Sequence, residues 1–273
     1  MTIKPTPATL SEVLREADTD DLDVLVDYIT DSGEGRITVA NDVCAQLVNA
    51  KKAQHYGAED RFIIEREFRL FGGNTVANML RDVKGFFGGS SAPAGSTDGV
   101  SAVSYDEIVR DVAKHLKVKF DKNATTPQVE DGILKTLLVT SFEKMQPAER
   151  ESVLNDLGIK DAKELVKRGM ASIAAGLLAA QLTSAMMFHL SRYVAGGTVA
   201  ALLGRGLAVG AVSFVAARPI AVFAGPIGWA VTGAWALADM SSPAYRVTVP
   251  CVVQVAYMRL KGEMQNAPKL TSI

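Results

Sequence analysis

The chain of 273 residues is poor in the groups that most chemistry uses. It has two cysteines, Cys44 and Cys251, which cannot build a disulfide framework and fit a reducing compartment. It has three histidines, His55, His115 and His189, with no metal-like spacing to one another or to the cysteines, so no metal is expected. No G-x-S-x-G, H-E-x-x-H or P-loop pattern occurs, and no fixed-period repeat. The net charge is −1, which disfavours a generic nucleic-acid binder. Acidic residues crowd positions 12–31, where a secretory signal would be apolar, so none is expected. These absences favour a non-enzymatic protein without a cofactor.

What is present is a partition. Residues 1–167 hold 21 basic and 28 acidic side chains, a balance of −7; the remaining 106 hold 8 and 2, a balance of +6. Such asymmetry points to a membrane or a partner surface. The first half reads as helical. Thr9 with Glu12 fits a capping box. Leu22, Leu25, Val26 and Ile29 share one helical face, and Gly33 and Gly35 should end it. Val43, Leu47 and Val48 suggest a second helix. Phe62 to Phe71 suggest a third, which Gly72 and Gly73 should terminate before Asn74 caps the next. Residues 88–104 read as a flexible linker of small polar residues, Gly and Pro. A second capping box, Ser104 with Glu107, opens a helix along Ile108, Val112 and Leu116. Thr126 as N-cap with Pro127 should start one reaching Met145, and Gln146-Pro147 another that Gly158 ends. The regions expected are thus 1–87, the linker 88–104, a central module 105–167, and apolar helices with a C-terminal helix at 168–273.

From Gly169 to Ala238, 46 of 70 residues are apolar, 19 of them Ala, and ten are Gly. The only charges are Arg192, Arg205 and Arg218, which leave uncharged runs of 23, 12, 12 and 20 residues. The first and last runs are long enough for a hydrocarbon core of about 30 Å at 1.5 Å per residue. Composition argues the other way, because Leu, Ile, Val and Phe total only 21, Pro226 would kink the last run, and Trp229 lies near its middle. Small residues four apart, among them Gly196, Gly204, Gly206, Gly210 and Gly228, suit close helix packing. Gly204, Gly206 and Gly210 also spell a loose dinucleotide fingerprint, but no strand precedes it and the next acid, Asp239, is too distant for a ribose. Two readings stay open: core helices sheathed by the acidic half, or a hairpin that enters or lies on a membrane when uncovered. Under the second, Arg192, Arg205 and Arg218 mark the lipid boundary.

His115, beside Lys114, is expected to be solvated. His189, in an apolar run, is expected to be a hydrogen-bonded core histidine, or alternatively a protonation switch. Asp239 could pair with Arg246 across the turn at Ser241-Ser242-Pro243, after which Pro250 can open the last helix.

Phe71-Gly72-Gly73-Asn74 through Arg81, Tyr105 through Met145, and Ala244-Tyr245-Arg246-Val247-Thr248-Val249-Pro250 with Gln254 and Arg259 resemble the YaaW family of uncharacterised bacterial proteins. Through that family the central region distantly resembles the ubiquinol–cytochrome c chaperone group, which implies a protein-binding helical module. No catalytic residue carries over. The reading is therefore an all-α protein, an acidic amphipathic half followed by a Gly/Ala-rich apolar half. It is cytoplasmic, peripheral or conditionally inserted at the inner membrane. Its partner is membrane lipid, with a pore-forming or membrane-perturbing role to follow, or a helical client held in the grooves of residues 104–158. A homo-oligomer fits the packing glycines.

Overall fold

Capping boxes set several of the helix starts. In the computed structural model, which describes residues 9–35, 39–86, 103–143, 145–203 and 244–266, Thr9 and Glu12 close the expected capping box and begin α1, Leu10–Glu16. Ser104 and Glu107 do the same for α5, Tyr105–His115, and Gln146 and Glu149 for α7, Pro147–Asp156. α2 spans Thr19–Thr30, and Leu22, Leu25, Val26 and Ile29 are all buried, as their spacing requires. It ends in left-handed residues, Asp31 and Ser32, ahead of Gly33 and Gly35. The remaining helices are α3 (Asn41–Lys52), α4 (Ala58–Phe86), α6 (Thr126–Phe142), α8 (Ala162–Arg168), α9 (Met170–Ala179), α10 (Ser184–Leu203) and α11 (Tyr245–Asn266). The fold is all-helical, with no strand among the described residues.

Four sequence expectations are corrected. α4 runs without a break through Gly72 and Gly73. A Cβ at Gly72 would overlap the Ile108 side chain, so this glycine lets α4 and α5 approach closely and does not stop the helix. The N-cap of α6 is Thr125, which places Pro127 at the second helical position, and the helix ends at Phe142. The 23-residue run from Gly169 is not one helix. It breaks at 180–183, where the Lys135 ammonium takes the Ala180 carbonyl and Thr183 receives the Met186 amide. No helix among the described residues is long and apolar enough to cross a membrane. Pro250 lies inside α11, not at its start. The carbonyl it leaves without a helical donor belongs to Arg246, at the exposed first turn, where water can serve.

α11 is the centre of the body. It packs against α1, α2, α4, α5, α6 and α10, and every residue from Val247 to Ala256 is buried. Over that stretch six neighbours leave no solvent face, so its residues are apolar all round except where a partner is supplied.

Candidate functional site

Three polar side chains of α11, Gln254, Arg259 and Lys261, are each matched by a group from the acidic N-terminal region or the central region. Arg259 is only 1% exposed and meets Glu130 of α6, itself 2% exposed. Its Nε donates to Glu130 Oε2 at 3.0 Å and its Nη2 to Oε1 at 3.3 Å. The Tyr105 hydroxyl donates to the same Oε1 at 2.6 Å. The capping box at Ser104 makes Tyr105 the first residue of α5, and the Phe68 ring packs against it edge-on, so the hydroxyl is held in place. Burial pushes the Glu130 carboxyl up while Arg259 pulls it back, and Glu130 keeps the Arg259 guanidinium charged against its own burial. Burial and Glu130 together push the Tyr105 phenol well up, so it stays a donor.

Two residues on, the Lys261 ammonium bridges Asp18 at 2.6 Å and Asp21 at 2.7 Å. Gln254 donates to the Asp21 carbonyl at 3.2 Å. The acidic helix α2 therefore meets α11 through charge as well as through its leucines. Two of its other acids turn to α3 and the loop after it: Asp23 accepts from Tyr56 at 2.6 Å and from Gln54 at 3.0 Å, and Asp27 pairs with Lys51.

Two clefts flank this clasp. One, of about 280 Å³, lies between the α1–α2 junction and the end of α11, with Asp18, Asp21 and Lys261 in its wall. The other, of about 210 Å³, is lined by Glu130, Asp131, Ser184, Met187, Arg259 and Glu263, with others. Burial pushes the Asp131 carboxyl up to about 6; Lys135 opposes this, and Glu130 and Glu263 add to it. Among the described residues no group of His, Cys, Asp or Glu could hold a metal ion. The arrangement is a buried clasp that locks a central helix.

The opposite end of α11 has a different chemistry. The His115 ring stacks on Tyr245 with centroids 3.7 Å apart, and the Tyr245 hydroxyl donates to Asp111. His115 is thus half-buried against an aromatic face, which corrects the expected solvated position. His189, expected in the core, is exposed on α10. α10 and α11 run antiparallel: Ser184 and Met187 share a cleft with Leu260 and Glu263, and Phe188 stacks on Tyr257 at 5.9 Å. Each step forward on α10 is a step back on α11. That register, carried forward along the pair, brings the C-terminal end of α10 toward the start of α11.

Of the residues singled out in the sequence, Gly196 is buried on α10 and Arg192 is half-buried on the same helix, its guanidinium 5.9 Å from the centre of the Phe188 ring. Arg246 is exposed in the first turn of α11. Gly204, Gly206, Gly210, Gly228, Arg205, Arg218 and Asp239 lie outside the described residues, as does nearly all of the 88–104 linker. Glu130, Lys261 and Asp21 were not among the candidates. Arg259, Gln254 and Tyr105 entered only through the family likeness, and these three converge on the clasp.

A UPF0174 protein of Helicobacter pylori is 31% identical over 219 residues, 79% of this chain and 96% of the relative. The chain belongs to the UPF0174 family. A second UPF0174 protein, from Helicobacter pylori strain J99, is 28% identical over 258 residues, covering 94% of this chain and 93% of its own. UPF0174 protein YaaW of Escherichia coli K12 is 29% identical over 204 residues, 72% of this chain and 70% of its own. No family model matches, and no solved structure matches. No match of this kind stands behind the likeness to the ubiquinol–cytochrome c chaperone group.

Proposed function

We propose that this UPF0174 chain is a non-enzymatic membrane-associating protein, cytoplasmic and peripheral until residues 204–243 meet lipid, and able then to perturb the bilayer. The observation that carries the reading is the antiparallel register of α10 and α11, which sets the two helix ends that flank that stretch at one end of a clasped helical body. The stretch has 40 residues and three charges, Arg205, Arg218 and Asp239. Twenty residues of helix cover about 30 Å, so its length suffices to enter a hydrocarbon core and return. The clasp supplies the soluble counterpart, a core that keeps its shape whether or not the stretch is engaged.

The competing role, a scaffold that receives a client helix on residues 104–158, meets an obstacle. The faces of α5 and α6 are packed against the chain's own α11, which would have to leave first.

The test is carbonate-washed membrane fractionation of the full-length protein beside the Phe214→Asp and Phe223→Asp double variant. A buried Asp costs about 2.5–3.5 kcal/mol at the centre of a lipid span, so the variant is expected to shift from the pellet to the supernatant while the wild type stays. Wild-type protein found only in the supernatant refutes the proposal.

A further inference from the structure

α9 is a short uncharged helix with a joint at each end. It begins after Gly169, whose φ of 93° suits glycine alone, and a Cβ there would meet nothing within 4 Å. The same residue ends α8, so the two helices meet at a corner that no side chain braces. At the other end Ala180 is extended, and residues 180–183 are not helical before α10 begins. Between the joints α9 packs on α6 and α8, and Ile173 and Leu177 are its buried residues. Its far end is tied to α6 by the Lys135 ammonium, which donates to the Ala180 carbonyl at 2.7 Å. Asp131 lies one turn before Lys135 on α6. It is half-buried in the cleft of about 210 Å³, whose wall includes Leu182 from the joint and Ser184 and Met187 from α10. The charged groups around it are Glu130 and Lys135 on α6 and Arg259 and Glu263 on α11, while residues 170–188 bring none.

We propose that α9 is a strap, hinged at Gly169 and latched at Ala180 by Lys135, and that ionisation of Asp131 releases it. The device belongs to the folded body and does not depend on lipid. When the strap swings away, Leu182 leaves the cleft and water reaches the Asp131 carboxyl. Burial is the largest cause that holds this carboxyl up to about 6, so it ionises more readily with the strap open, and the open form gains as the pH rises past that value. The ionised carboxylate also competes with Ala180 for the Lys135 ammonium four residues on. The interval from 3.8 to about 6 caps the shift in the opening equilibrium at about a hundredfold. Glu130 and Glu263 stay beside Asp131 when the strap leaves, so about tenfold is expected.

The test is amide hydrogen exchange of the full-length protein at about pH 5 and about pH 7.5, each rate taken relative to the unstructured rate at that pH. Amides 174–180 of the strap are compared with 247–256 of α11, for the wild type, Asp131→Asn and Lys135→Met. In the wild type, protection of 174–180 is expected to fall about tenfold more than that of 247–256 as the pH rises. Asp131→Asn, which keeps the shape of the neutral carboxyl, should abolish that extra fall. Lys135→Met, which keeps the stem and removes the latch, should lower protection of 174–180 at both pH values and leave 247–256 as protected as in the wild type. Equal falls in the two regions of the wild type, or no fall in 174–180, overturn the strap. An extra fall that persists in Asp131→Asn overturns the assignment to that carboxyl. Wild-type protection in Lys135→Met overturns the latch.

Discussion

The ten residues of α9 carry no charge, yet Ala171, Ala175, Leu178 and Ala179 face outward, with Leu178 50% exposed. α11 carries Gln254, Arg259 and Lys261, yet it is buried from Val247 to Ala256 and again at Met258 to Leu260. The difference follows from neighbours. α9 packs on one side, against α6 and α8, whereas α11 has six helices around it. Average apolarity measures how much a segment gains from leaving water; topology decides how much of it can leave. A polar side chain at the centre is tolerated only when partners arrive with it, and Glu130, Tyr105, Asp21 and Asp18 are those partners.

The comparison breaks most sharply at Glu130. Its replacement by Ala leaves the Arg259 charge buried without its counterion, and the expected loss is about 3–5 kcal/mol in urea unfolding. The double variant Glu130→Leu with Arg259→Met removes both charges and is expected to unfold close to wild type. If the single variant is harmless, the clasp is not what holds α11. A smaller loss, about 1–2 kcal/mol, is expected for Tyr105→Phe, which deletes one hydrogen bond to Glu130 and leaves the ion pair.

Acid sharpens the contrast in an unexpected direction. The Asp131 carboxyl stands near 6, above its ordinary 3.8, so the folded chain binds this proton more tightly than the unfolded one. Stability from this group is present at low pH and lost as pH rises through 6. Glu130, Asp21 and Asp27, all raised by burial, act in the same sense. The melting midpoint is therefore expected to rise between pH 7 and about pH 4.5, and Asp131→Asn to flatten the rise. Further down, Asp106 and Glu107 reverse the trend, because hydrogen bonds from Arg110 and Ser104 hold their carboxyls below the ordinary range. Mild acid thus stabilises the fold as a whole. The smallest effect belongs to α9: Leu178→Ser is expected to change stability by no more than about 0.5 kcal/mol, since half of the side chain is already in water.

Local chemistry was legible in the sequence wherever cause and effect lie within one turn. The boxes at Thr9 and Ser104, the apolar face of α2 and the left-handed Gly158 after α7 follow from neighbours in the chain. Gly72 misled because glycine both ends helices and lets them approach, and only Ile108, 36 residues on, distinguishes the two. Pro250 misled because a proline near a helix start is tolerated beyond its first residue when the freed carbonyl stays wet. His189 was placed inside because its neighbours are apolar, although its own position on α10 faces out. The clasp was hidden for a plainer reason: Arg259 and Glu130 are 129 residues apart, and the pattern of neither helix reveals the other.

The central proposal, that a body clasped around α11 meets a bilayer through residues 204–243, is tested most directly by amide hydrogen exchange of the full-length protein with and without phosphatidylglycerol vesicles. The account predicts that peptides from 247–260 exchange slowest in both conditions, and that peptides from 204–243 slow when vesicles are added. Peptides from 204–243 that exchange identically in both conditions, or a fast-exchanging α11, would contradict it.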